Sequence, residues 1–173
     1  MPRTDPDLAA DELTTLVQFL DFHRATLVEK VSGLDAGQLA TASAPPSTMT
    51  LGGLVKHLAL VEDDWFQVRL LGLPDPAPWA DAPFDDDPDW EWHSAVDDTP
   101  AALLALYAAA CARSRDAVAA VDGDLARLSV TTDRQTGGHF SLRWILVHMI
   151  EETSRHNGHA DLLREALDGA VGE

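Results

Sequence analysis

The chain has 173 residues, 46% of them hydrophobic, enough for one well-packed core and short for two, so a single domain over residues 1–173 is expected. Twelve Lys and Arg against 29 Asp and Glu give a formal charge of −17, which repels phosphate backbones and anionic lipid and argues against nucleic acid or a membrane as partner. The lone Cys111 excludes an internal disulfide; with no basic-then-apolar leader and no apolar run of spanning length, the expected location is the cytoplasm.

Asp11 to Ser32 carries Leu13, Leu16, Val17, Leu20, Leu27 and Val31 at helical spacing, and Gly33 is placed to stop this first helix. Ala40 to Thr50, with Pro45-Pro46, reads as a loop, after which Thr50 caps a second helix from Leu51 to Leu71, ended by Gly72 and Pro74. Its inner stripe is read as Leu54, Leu58, Val61, Trp65 and Val68, with Gly52-Gly53 allowing a close helix approach. Leu73 to Asp98 is rich in Pro and Asp and carries Trp79, Phe84, Trp90 and Trp92. It reads as irregular and too long for a turn, either a lid, a segment packed on the body, or a dimer contact.

Thr99-Pro100 is a strong start for a third helix, Ala101 to Val121, and Asp122-Gly123 ends it. Leu128-Ser-Val-Thr reads as a short strand or extended segment, and Gly137-Gly138 as a turn. Ser141 caps a fourth helix running to about Leu167 before Gly169. Four long amphipathic segments predict an all-α, four-helix bundle with a long irregular connection between helices two and three, which lets those two run parallel.

The fourth helix carries the chemical signal. Its inward stripe is Leu142, Ile145, Met149, Ala160, Leu163 and Leu167; His156 falls in the middle of that stripe and Glu152 on its flank. A carboxylate directed inward costs several kcal/mol unless it meets a proton, an Arg or a metal. His148 and His156 are about 12 Å apart along the axis, too far for one ion, which leaves three candidate pairs: His148 with Glu152, Glu152 with His156, and His156 with His159. Angular position favours Glu152 with His156, and His57, on the inner sector of helix two, completes a set of three. Three protein ligands leave a position open for water or substrate, and two imidazoles with one carboxylate suit zinc, nickel, iron(II) or cobalt. The competing expectation is a metal-free buried pair in which His156 is protonated or Arg155 or Arg24 neutralises Glu152.

Through Phe19-Leu-Asp-Phe-His-Arg-Ala-Thr-Leu, Thr50-Leu-Gly-Gly-Leu-Val-Lys-His57-Leu, Ser141-Leu-Arg-Trp-Ile-Leu-Val-His-Met-Ile-Glu-Glu-Thr and His156-Asn-Gly-His159-Ala-Asp-Leu-Leu-Arg-Glu, the chain resembles the DinB-like metalloprotein superfamily over nearly its whole length, and within it the actinobacterial branch of mini-circle-type proteins. The resemblance implies a four-helix bundle with a metal held by His57, Glu152 and His156. Many members have His where Glu152 stands, but the chain is similar to the mycothiol-dependent maleylpyruvate isomerases, which use His, Glu and His with zinc.

An open metal site lowers the pKa of a thiol that meets it. Cys111, on an Ala-rich face, reads as core, so the thiol is expected from outside: a mycothiol-type molecule attacking a small electrophile, in transfer or isomerisation. A metal-activated hydroxide attacking an ester or amide, and a non-catalytic, stress-associated metal-binding protein, are the alternatives on the same ligands. His159, Glu62, Arg155 and His148 are the candidates for orienting the ligands. His23, His93 and His139 carry no expected role. Asp85, Asp87, Asp89 and Glu91 alternate like a calcium loop, yet Trp90 and Val96 occupy its required Gly and Glu positions, which excludes an EF-hand. Monomer and homodimer are both compatible with the resemblance.

Overall fold

The computed structural model describes residues 3–172. Helix α1 is Glu12–Val31, capped by the Asp11 carboxylate, and is followed by the single turn α2, Ala36–Leu39. Helix α3, Leu51–Asp63, starts at the Thr50 hydroxyl and continues without a break as a π-helix over Asp64–Leu70. The connection holds a 3-10 turn at Trp79–Asp81, the short helix α4 at Trp90–Ser94 and a second 3-10 turn at Ala95–Asp97. Helix α5, Pro100–Ala120, begins at Thr99 with Pro100 in its first turn. Strands β1 (Leu128–Thr132) and β2 (His139–Ser141) form an antiparallel hairpin that leads directly into α6, Leu142–Asp168. Gly72 and Gly169 end their helices with φ of 70° and 78°, a conformation that L side chains rarely adopt.

Side-chain contacts fix the directions of the four long helices. Along α1 and α6, Glu12 meets Arg143, the His23 carbonyl meets Asn157 and the Lys30 carbonyl meets Arg164, so the two run parallel. Gly52 lies against Leu103 and Asp63 against Arg113, so α3 and α5 are also parallel, as the long connection between them permits. Helices α3 and α6 are antiparallel, with His57 beside Glu152 and Trp65 beside Trp144. Among the described residues no helix is long and apolar enough to cross a membrane.

The expected inner stripe of α6 is observed as far as Leu163: Leu142, Ile145, Met149, His156, Ala160 and Leu163 are buried, whereas Leu167, near the end of the helix, is only half-buried. The stripe of α3 departs from expectation in its second half. Val61, Trp65 and Val68 are only half-buried, while Glu62, Phe66 and Leu70 are buried. Val61 and Glu62 are still α-helical, Glu62 continuing the buried row of Val55 and Ala59. Beyond them the π-helix, with more residues per turn than an α-helix, brings inward positions every four residues through Phe66 and Leu70, and the sequence-derived stripe drifts outward. The connection after Leu71 is not a free lid. Trp79 is buried and donates from Nε1 to Asp63 at 2.8 Å; Lys56 reaches Asp98 at 2.6 Å and lies over the Trp90 ring. The segment is thus clamped onto α3 at Trp79, Trp90 and Asp98.

The inward turn of Glu62 creates a buried ion pair. Arg24 on α1 donates to it twice, at 2.6 and 2.5 Å, and also reaches Asp21, which Arg115 binds from α5. Glu62 is 1% exposed and Arg24 4%. Replacing one member leaves a buried charge without its partner, so Glu62→Ala is expected to lower stability in urea denaturation by about 3–5 kcal/mol; a loss below about 1 kcal/mol contradicts this role for the pair.

Candidate metal centre

The centre lies where α3 crosses α6. His57 projects from the second turn of α3, and Glu152 and His156, four residues apart, project from one face of α6. Their potential ligand atoms all lie within 4.8 Å of one another. Glu152 Oε1 is 3.2 Å from His156 Nε2 and 3.6 Å from His57 Nε2, so one carboxylate oxygen stands between two ring nitrogens. Ligand atoms at about 2.0–2.1 Å from a tetrahedral ion are themselves about 3.3 Å apart, so small rotations of these side chains suffice to close the set.

Both rings are held from behind. His57 Nδ1 is 3.0 Å from Glu91 Oε1; a carboxylate only accepts, which places a proton on Nδ1 and leaves Nε2, facing Glu152, as the nitrogen a metal would take once its own proton is displaced. His156 Nδ1 lies 3.4 Å from His159 Nδ1, a contact behind the ring that leaves Nε2 facing Glu152. Trp92 stacks on His57 with centroids 4.6 Å apart, covering one face of the ring. This close approach depends on Gly53, where a Cβ would lie 2.8 Å from the Trp92 ring. Gly52 is in turn pressed against Leu103, so the glycine pair serves one contact between helices and one with the connection.

Electrostatics at the site favour a cation. The hydrogen bond to His156, and then that to His57, hold Glu152 well below the usual carboxylate range against its partial burial. Burial pulls the His57 pKa down, but the Glu152 and Glu91 carboxylates outweigh it and leave the ring more basic than usual. His159 shifts the other way, through burial and then through His156 and Arg155, which keeps it neutral and able to accept. Glu91 is 4% exposed, and its Oε2 has no hydrogen-bond partner among the described residues.

The other expectations separate clearly. Of the four candidates for orienting the ligands, His159 alone reaches one of the three, His156. Glu62 pairs with Arg24, Arg155 with Glu151, and His148 packs on Trp144 and Trp65. Neither Arg24 nor Arg155 neutralises Glu152, because each has another carboxylate. His93 pairs with Asp87 on the surface and His139 with the Ser129 carbonyl. Cys111 is buried, and burial followed by the nearby Glu62 charge pushes its thiol up to about 12. The sequence reading missed Glu91 as a partner of His57: it entered only as part of the rejected calcium loop, and no periodicity marks a five-residue helix inside an irregular segment.

A conserved protein from Enterococcus faecalis, known from its crystal structure, is similar to this chain with a TM-score of 0.70, 17% sequence identity, and coverage of 94% of this chain and 100% of that one. At that identity the likeness speaks for the helical fold. No curated protein matches the chain. Residues 15–169 match the mycothiol-S-transferase family, in agreement with the DinB-like resemblance of the sequence, and the chain belongs to that family.

Proposed function

We propose that the protein is a metal-dependent transferase that joins a low-molecular-weight thiol of the mycothiol type to a small electrophile, with His57, Glu152 and His156 as the ligands of a divalent transition ion, zinc by preference. The observation that carries the reading is the convergence of two Nε2 atoms on one ionised carboxylate oxygen, with each ring fixed through its Nδ1. Membership of the mycothiol-S-transferase family supports the thiol and the transfer.

The donor set fits such an ion. Two neutral imidazoles and one carboxylate suit zinc, and three ligands leave room for an incoming group. Bound there, the ion supplies a Lewis acid that favours the thiolate form of a thiol at neutral pH. Glu152, held ionised, would offset part of the ionic charge. His57 and His156 would turn their Nε2 atoms to the ion on losing the protons that face Glu152, with their Nδ1 sides held by Glu91 and His159. Trp92 shields the His57 side of the centre from water. Cys111 is too deeply buried and too weakly acidic to be the nucleophile, so the sulfur comes from a second substrate. In the transfer the S–H proton leaves to solvent and the sulfur pair forms a C–S bond. In a substitution the leaving group departs with its bonding pair; in an addition to an activated double bond the neighbouring carbon takes up a proton.

Calorimetric titration with zinc tests the ligand set. Uptake of one equivalent is expected, with His57→Ala, Glu152→Ala and His156→Ala each weakening it by more than about 100-fold, and Glu91→Ala, which leaves the three ligands in place, by about 10–100-fold. Wild-type affinity in any of the three ligand variants contradicts the set. His57 must lose its proton to bind, and its pKa is raised above the ordinary value of about 6.5. Zinc affinity is therefore expected to fall as pH drops from about 8 through 6, and a flat profile over that range contradicts the role of His57.

A further inference from the structure

Because the π-helical turn places Phe66 in the core, Trp65 beside it faces outward between α3 and α6. It meets Phe140 edge-on at 5.0 Å, Trp144 at 5.2 Å and His148 at 4.6 Å, and Trp144 stacks on His148 with the ring planes 17° apart. Trp144 is 45% exposed although the adjacent Ile145 is fully buried. Trp65, Phe140 and Trp144 wall a cleft of about 660 Å³ whose far side is formed by the hairpin. A concave surface of this volume, in which three aromatic rings stand beside polar groups that can fix a ligand's orientation (Arg69, Asp133, Thr136, His139 and Ser141), has the form of a small-molecule site. Aromatic rings needed only to seat the hairpin would gain more by being covered.

The polar groups narrow the chemistry. Arg69 lines the cleft, stacks over Trp65 at 4.6 Å and is anchored to Asp64 through Nε at 2.6 Å, while its Nη groups form no hydrogen bond to the described residues. They remain to bind an acceptor. Asp64 and Asp133 flank this guanidinium, and the chain carries a formal charge of −17, so an anionic ligand is disfavoured. Arg69 on the Trp65 face disfavours a cationic one. Asp133 is occupied with its own turn, accepting from the Thr136 backbone and hydroxyl, both at 2.8 Å.

We infer that this cleft binds an uncharged, planar aromatic molecule bearing a hydrogen-bond acceptor, such as an aryl ketone or nitroarene, with its ring against Trp144 and Trp65 and its acceptor oxygen on Arg69. The cleft is a site separate from the metal centre: Trp144 lies about 12 Å along α6 from Glu152, and no residue of the candidate ligand set lines it.

The test is a calorimetric titration of the full chain with acetonaphthone, with naphthoate as the anionic probe and cyclohexyl methyl ketone as the non-planar one. Saturable binding of acetonaphthone is expected, with equal affinity in chelator-treated and zinc-loaded protein, so that the result stands apart from the metal reading. The two comparison probes are expected to bind about tenfold more weakly or worse, Trp144→Ala to lose about tenfold, and Trp144→Phe, which keeps a ring, to stay within about threefold of wild type. Arg69→Met is expected to lose about threefold or more. The inference is overturned by absence of saturable acetonaphthone binding, by equal binding of cyclohexyl methyl ketone, by wild-type affinity in Trp144→Ala, or by binding that appears only with zinc.

Discussion

Glu152 stands between two imidazoles because α3 and α6 cross antiparallel at that level, and the rest of the site is arranged around this carboxylate. A half-buried carboxylate is stable only with positive charge beside it. Here the charge is not supplied by Arg24 or Arg155, which are committed to Glu62 and Glu151. What faces Glu152 instead is a pair of ring nitrogens whose protons can be exchanged for a metal. Glu91 and His159 act on the far side of those rings, so the geometry of the pair is set before anything binds.

Helix α3 and its π-helical end divide two jobs. Glu62, on the last regular turn, faces inward to Arg24, where the ion pair joins α1 to α3 in the core, and beyond it the π-helix keeps Phe66 and Leu70 inward and Trp65 outward, beside the hairpin. His57 lies in the regular part, ahead of the change, and keeps the orientation that α-helical spacing gives it. Gly53, one turn earlier, lets Trp92 approach closely enough to stack on that imidazole. The Pro- and Asp-rich connection is thus a wall of the candidate centre, held there by Lys56, Trp90 and Trp79.

The long helices and their caps were readable because each depends on local chemistry: Asp11, Thr50, Thr99 and Ser141 all accept from the first turn as their residue types suggest. Glu152 and His156 were readable because polar groups at i and i+4 on an apolar face have few explanations, and His57 because it lay on the inner sector of its helix and matched the family pattern. The outward turn of Trp65 was not readable, since an α-helical wheel puts it with Leu54 and Leu58 and only tertiary packing reveals the extra residue per turn. Glu91 was hidden for a related reason. Its partner is 34 residues away in sequence, and an acid in an acidic segment carries no signal until the fold brings it to an imidazole.

Cobalt(II) offers the most direct measurement, because its visible spectrum reports both coordination and the arrival of sulfur. The account predicts that one equivalent of cobalt gives the d–d bands of a low-coordinate site, that a low-molecular-weight thiol adds a sulfur-to-cobalt charge-transfer band, and that neither signal forms in Glu152→Ala. A spectrum indistinguishable from aqueous cobalt, or site bands that do not change when the thiol is added, would contradict it.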